Sequence, residues 1–141
     1  MSEDGRPVVL VIEDDELLRE VMAEVLTDEG YAVIAVADGA AGIAASEERP
    51  PDLILLDMKM PGMDGWAFSR AYRALAAHDA PIIVVTAAVD AAKRSSEVDA
   101  AAWVDKPFDV DPFLMTVRRV LEQAPKEGGA EDLGTAGVRG P

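Results

Sequence analysis

Residues 52–65, with the sequence DLILLDMKMPGMDG, combine the signal of a buried strand with a cluster of polar and turn residues. The apolar run 53–56 lacks the alternation of a half-exposed strand, so it predicts a strand buried on both faces, as in a parallel sheet. Asp57 follows this run directly, and the Pro-Gly pair at positions 61 and 62 is typical of a turn. We therefore expect Asp57 at the carboxyl end of a buried strand.

The rest of the chain repeats a strand–helix alternation around this segment. Further apolar runs lie at residues 8–12, 31–36, 81–86 and, more weakly, 101–104. Apolar stripes at helical spacing cover residues 17–26 and 113–121, and further helices are expected at 39–48, 64–75 and 87–98, of which the last has almost no apolar stripe. Five strand–helix units predict a doubly wound α/β fold, in which right-handed crossovers place helices on both faces of a parallel sheet.

Composition narrows the classes of function. The 141 residues suit one domain, and 27 acidic against 13 basic side chains give a net charge of −14. This charge argues against direct binding to nucleic acid or to an anionic membrane. The chain has no Cys, and His78 is its single His, so thiolate and His-rich metal sites are excluded. No secretory or membrane-spanning segment is evident, and we expect a cytoplasmic protein.

Polar residues follow four of the predicted strands. They are Glu13 and Asp14, then Asp57, Thr86 and Lys106. Taken singly, the acids at 13–15 are explained equally well as caps of the first helix, and Asp57 as a turn residue. In a doubly wound sheet, however, ligands bind at the carboxyl ends of the strands, where these residues would meet. Clustered carboxylates favour Mg²⁺, and an Asp can act as a nucleophile towards phosphorus, so the set suits phosphoryl transfer.

Four segments together resemble the receiver domain of two-component response regulators over residues 7–124: LVIEDDELLREVM, PDLILLDMKMPGMDGWAF, IIVVTAA and WVDKPFD. The resemblance implies a flavodoxin-like (βα)5 fold with strand order 2-1-3-4-5. It leaves residues 1–6 as a leader and the Gly-rich residues 125–141 as a disordered tail or truncated linker.

The resemblance also implies roles for single residues. Asp57 would be the phosphoacceptor, with Mg²⁺ held by Asp14, by Asp57, by the carbonyl of Lys59 and, mostly through water, by Glu13. Thr86 and Lys106 would hold the phosphoryl oxygens, and the Lys106–Pro107 peptide bond would be cis. Thr86 and an aromatic residue three positions before the Lys would form the switch. That aromatic residue is Trp103 here, where the family usually has Tyr or Phe.

The expected function is a phosphorylation switch rather than an enzyme. A sensor histidine kinase or histidine phosphotransfer protein would phosphorylate Asp57, and the face formed by helix 4, strand 5 and helix 5 would signal to a protein target or to a missing output domain. Met1 and the tail slightly favour a stand-alone protein over a fragment. Two alternatives stay open: a degenerate receiver that only binds protein, and a Mg²⁺-dependent phosphatase. The phosphatase would need a second acid at position 59, where the chain has Lys.

Overall fold

The computed structural model describes residues 2–75, 79–87 and 91–123. In this part of the chain, strands and helices alternate throughout. The strands are β1 Val8–Ile12, β2 Ala32–Val36, β3 Leu53–Leu56, β4 Ile82–Ala87 and β5 Ala102–Lys106. The helices are α1 Glu16–Asp28, α2 Gly39–Glu48, α3 Gly65–Ala74, α4 Ala91–Glu97 and α5 Val110–Gln123. All strand pairs are parallel, and the order β2-β1-β3-β4-β5 confirms the predicted topology.

The continuous apolar strands are explained by two separate cores, one on each face of the sheet. In β3, Leu53 and Leu55 pack with α1 and α5, whereas Ile54 and Leu56 pack on the opposite side with α3. Successive strand residues point to opposite faces, so only a sheet covered on both sides buries every residue of such a run. The prediction of helices on both faces is confirmed.

Side-chain caps set the starts of three helices. Asp15, Asp38 and Asp64 accept hydrogen bonds from backbone N–H groups at the start of α1, α2 and α3, respectively. Such caps satisfy amide donors that have no partner inside the helix. The structure thus divides the acidic run at 13–15: Asp15 caps α1, and Glu13 and Asp14 are left for the edge of the sheet.

Some element boundaries differ from the prediction. Residues 31–36 were expected to be buried on both faces, but β2 is an edge strand and Ala35 is exposed. Strand β5 runs on to Lys106, beyond the expected residue 104. Ala87, where the fourth helix was expected to begin, is the last residue of β4, and the described part of that helix is Ala91–Glu97.

The single histidine, His78, and the tail predicted at 125–141 lie outside the described residues. Residues 2–6 are described and form a hydrogen-bonded turn, in which the Ser2 N–H donates to the Arg6 carbonyl. The leader at 1–6 and the domain limits stay predictions. Of the helices in the described segments, none has the length and apolar character that a bilayer span requires.

Candidate functional site

The parallel sheet brings the predicted site residues to one edge. Glu13 and Asp14 follow β1, Asp57 follows β3, Thr86 lies near the end of β4, and Lys106 is the last residue of β5. Since β1, β3, β4 and β5 are consecutive neighbours in the sheet, their carboxyl ends lie side by side. Glu13, Asp57 and Thr86 are buried, with 1%, 4% and 3% of their surface exposed, whereas Asp14 is exposed.

Glu13 is held at several points. Its Oε1 lies 2.9 Å from the Lys106 Nζ, and its Oε2 accepts a hydrogen bond of 3.1 Å from the Asp15 N–H. Its backbone N–H donates to the Val36 carbonyl, and its own carbonyl accepts a 2.9 Å hydrogen bond from the Arg19 guanidinium. Glu13 is therefore fixed in place, and its side chain positions the ammonium of Lys106.

Asp57 is the second partner of that ammonium. Its Oδ2 lies 3.6 Å from the Lys106 Nζ, and its Oδ1 accepts a 3.2 Å hydrogen bond from the Lys59 N–H. Burial and then repulsion from Glu13 raise the pKa of Asp57 to about 7, against the lowering effect of Lys106. Burial and a neighbouring carboxylate both disfavour the charged form of an acid. The ionised carboxylate is thus costly in this position unless further positive charge is present.

The three acids could obtain this positive charge by binding a cation. Glu13, Asp14 and Asp57 each offer a carboxylate oxygen, and these oxygens lie within 4.8 Å of one another. Oxygen donors without His or Cys are the set that Mg²⁺ prefers. Burial first and repulsion from Glu13 second raise the pKa of Asp57, and a cation among the three carboxylates would favour its ionised form. The residues present fit a magnesium ion.

Thr86 and Trp103 lie on the same side of the sheet. Trp103 pairs with Val84 across the β4–β5 ladder, and both side chains pack in the core that also contains Phe68 of α3. Thr86 is two residues after Val84 and so points to the same face. Trp103 is half-buried. The two residues predicted as the switch thus share one face near α3 and α4, and their role as a switch stays a prediction.

Two features of the site were not predicted from the sequence. One is the ion pair between Glu13 and Lys106, which is shorter than the one between Asp57 and Lys106. The other is the bond from Arg19 to the Glu13 carbonyl; its signal is a basic residue one helical turn after the helix-capping Asp15. The predicted cis bond between Lys106 and Pro107 is confirmed. The ligand role of the Lys59 carbonyl stays a prediction.

Curated proteins with similar sequences are named as transcriptional regulators or as response regulators. One is the transcriptional regulatory protein CseB of Streptomyces coelicolor, which is 34% identical over 132 residues; the match covers 92% of this chain and 56% of CseB. The chain spans about half the length of the curated relatives it matches.

Solved structures agree with the sequence comparison. The chemotaxis protein CheY4 of Vibrio cholerae superposes with a TM-score of 0.77 at 31% identity, covering 82% of this chain and 99% of that one. The receiver domain of the sensor histidine kinase PA1611 of Pseudomonas aeruginosa, with a magnesium ion coordinated in its active-site cleft, gives a TM-score of 0.76 at 27% identity and covers 84% and 99%. The sequence-family model described as the response regulator receiver domain matches residues 9–118 of this chain. With the sheet order and the acidic edge, this match shows that the chain belongs to the response regulator receiver domain family of two-component systems.

Proposed function

We propose that this receiver domain takes a phosphoryl group onto Asp57 in a Mg²⁺-dependent reaction. The observation that carries the proposal is the buried Asp57 carboxylate, with its Oδ2 3.6 Å from the Lys106 Nζ, inside a cluster of three acids. A carboxylate oxygen of Asp57 would form the new P–O bond. The N–P bond of a phosphohistidine on a histidine kinase or phosphotransfer protein would break, and its electron pair would stay on the imidazole.

Magnesium fits the site by the chemistry of its donors. Asp14, Asp57 and the Lys59 carbonyl would bind the ion, and Glu13 would act mostly through water. The ion would neutralise charge on the phosphoryl oxygens and on the acids. The magnesium ion in the receiver domain of PA1611 supports this assignment. Without a bound cation, the Asp57 side chain would be protonated in part at neutral pH. The cation would favour its nucleophilic, ionised form.

Lys106 and Thr86 would bind the transferred group. Lys106 is paired with Glu13 at 2.9 Å, so it would exchange part of that contact for a phosphoryl oxygen. The Thr86 hydroxyl, buried at the end of β4, would donate to another oxygen. Movement of Thr86 towards the phosphoryl group would shift the populations of the α4-β5-α5 face, with Trp103 as the aromatic member of the switch.

The signalling partner would be a protein target or an output domain outside this chain. Some of the curated relatives, such as CseB and KdpE, are named as transcriptional regulatory proteins and are about twice as long as the matched region. An output domain of that kind is one candidate for what the receiver domain controls. The absence of direct nucleic-acid binding by the receiver domain itself stays a prediction from its net charge of −14.

Phosphorylation can be tested with a small phosphodonor. Incubation with acetyl phosphate and Mg²⁺ is expected to add the mass of one phosphoryl group to the protein, and this adduct should be absent from Asp57→Ala and without Mg²⁺. An equal adduct on Asp57→Ala, or none on the wild type, would contradict the proposal and favour a degenerate receiver. Sustained turnover of a phosphoester would instead favour a phosphatase, against which the exposed Lys59 at the position of the second acid argues.

A further inference from the structure

Three side chains join α3 to α4 at the surface, and we call them the α3–α4 clasp: Trp66, Arg94 and Glu97. The indole N–H of Trp66 donates a 2.8 Å hydrogen bond to the Glu97 Oε1, and the same oxygen lies 3.2 Å from the Arg94 guanidinium. That guanidinium lies over the Trp66 ring, 5.1 Å from its centroid. The bond from Trp66 is the main reason that the pKa of Glu97 lies below its usual value. Each side chain of the clasp therefore contacts the other two.

Helix α4 itself buries little side-chain surface. It is seven residues long, and the buried residues within it, Ala91 and Ser95, have small side chains. Stabilisation by burial grows with the apolar area removed from water, so these residues anchor the helix weakly. A short helix is also marginal without tertiary contacts. The segment after α4 is anchored separately, by the buried Val98 and Ala100 and by the Arg73 guanidinium, which donates to the Asp99 carbonyl. The clasp adds a polar link between α4 and the start of α3.

The start of α3 is joined in turn to the loop after Asp57. The Gly65 N–H donates a 3.1 Å hydrogen bond to the Met58 carbonyl, and Met58 follows Asp57 directly. The approach is so close that a Cβ on Gly65 would lie 2.5 Å from the Met58 Sδ. Trp66 is the next residue of α3. A chain of direct contacts therefore runs from the Asp57 loop through the start of α3 to the clasp, without passing through Thr86 or Trp103.

We propose that the α3–α4 clasp holds α4 in its resting arrangement and opposes the rearrangement that phosphorylation of Asp57 favours. The inference rests on the proposed function and adds a restraint that sets how readily α4 responds. Coupling of this kind is reciprocal: a contact that stabilises only the resting arrangement weakens the binding of any ligand that favours the other one. Loss of the clasp should then strengthen that binding.

The test uses beryllofluoride with Mg²⁺ as a reversible mimic of the phosphoryl group. Trp66→Phe keeps an aromatic ring at this position and removes the N–H donor, and Glu97→Ala removes the shared acceptor. Without beryllofluoride, both variants should show faster hydrogen exchange at the amides of α4. With it, both should bind roughly three- to tenfold more tightly than the wild type, the range expected from losing one charged hydrogen bond at a partly exposed site. Glu24→Ala, which removes an exposed glutamate of α1, should match the wild type in both measurements.

The outcomes separate this inference from the proposed function. Unchanged exchange in α4 would overturn the clasp as a restraint. Faster exchange with unchanged affinity for beryllofluoride would overturn the coupling while leaving the phosphorylation proposal intact. If the wild type itself bound no beryllofluoride, the proposed function would fail and the coupling with it. Hydrogen exchange at the core strand β3 checks that each variant is folded. Trp66→Phe, which keeps an aromatic side chain at position 66, carries the test if Glu97→Ala does not fold.

Discussion

The Asp57 carboxyl should make stability depend on pH, because burial and Glu13 raise its pKa from 3.8 to about 7. Between these values the folded state retains a proton that the unfolded state has lost. The contribution of Asp57 to the free energy of unfolding therefore falls as the pH rises from about 4 to 7 and is constant above. Asp57→Asn removes this cost, so without Mg²⁺ it should stabilise the protein at pH 8 by about 1–2 kcal/mol and little at pH 4.

Denaturant unfolding at both pH values measures this effect. Asp79→Asn, at an exposed position in the loop before β4, is the matched control and should change the free energy of unfolding by less than about 0.5 kcal/mol at either pH. A destabilised Asp57→Asn protein at pH 8 would show that Lys106 more than compensates for burial, and the assigned direction of the pKa shift would be wrong.

Glu13 should be a direct cause of the raised pKa of its neighbour. Its repulsion is the second cause after burial, so Glu13→Gln should lower the pKa of Asp57. The substitution also releases the Lys106 Nζ from its 2.9 Å contact, which allows the ammonium to approach Asp57 and lowers the pKa further. Carbon-13 NMR titration of the Asp side-chain carboxyl groups measures the shift, with Glu24→Gln as the control. An unchanged or raised pKa for Asp57 in Glu13→Gln would refute this account.

The positions of the site residues were predictable from sequence, whereas their pairing was not. Glu13, Asp14 and Asp57 follow apolar runs that are typical of buried strands, and parallel strands place their ends together. Which acid Lys106 prefers depends on reach: the Glu13 side chain is one methylene longer than an Asp, and its Oε1 is the closer partner. Such a choice depends on rotamers and local packing, which residue spacing does not encode.

At the scale of single elements, the N-terminal cap of α2 should contribute more to stability than a helix cap usually does. This helix has the sequence GAAGIAASEE, without an amphipathic stripe, and the Asp38 side chain accepts a 2.8 Å hydrogen bond from the Ala41 N–H. Asp38→Ala should cost about 1 kcal/mol and lower the melting temperature by about 3–5 °C. Asp38→Asn, which can still cap the helix, should lose much less. Equal losses measured by thermal unfolding would mean that charge, and not the capping bond, stabilises α2.

The element limits that sequence missed share a physical reason. Strand β5 reaches Lys106 because backbone pairing with β4 continues through Ala87, although the apolar run ends earlier. A run of apolar residues indicates where a strand is buried, but it does not indicate where the backbone hydrogen bonding of the strand ends. Similarly, β2 has the apolar sequence of an inner strand but lies at the edge of the sheet, where it pairs with β1 only. The contacts of Trp66 with Arg94 and Glu97 of α4 could not be predicted from the sequence either, because these partners lie 28 and 31 positions further along the chain.

At the scale of the whole molecule, the net charge of −14 has a concentrated part and a dispersed part. The concentrated part is the cluster of Glu13, Asp14 and Asp57. The dispersed part covers the helices and loops, where like charges repel weakly and are screened by any salt. Magnesium and sodium should therefore act differently on stability: both ions screen the surface, but only magnesium should occupy the cluster.

The difference can be measured as a gain in the free energy of unfolding. At ten times its dissociation constant, Mg²⁺ should stabilise the folded state by about 1.4 kcal/mol beyond NaCl of equal ionic strength, because it binds the folded site and not the unfolded chain. Asp14→Asn, which removes an exposed acid of the cluster, should abolish most of this excess and keep the response to NaCl. The matched control Glu24→Gln should keep both. An equal effect of the two salts on the wild type would mean that Mg²⁺ only screens the acidic edge of the sheet and does not bind there.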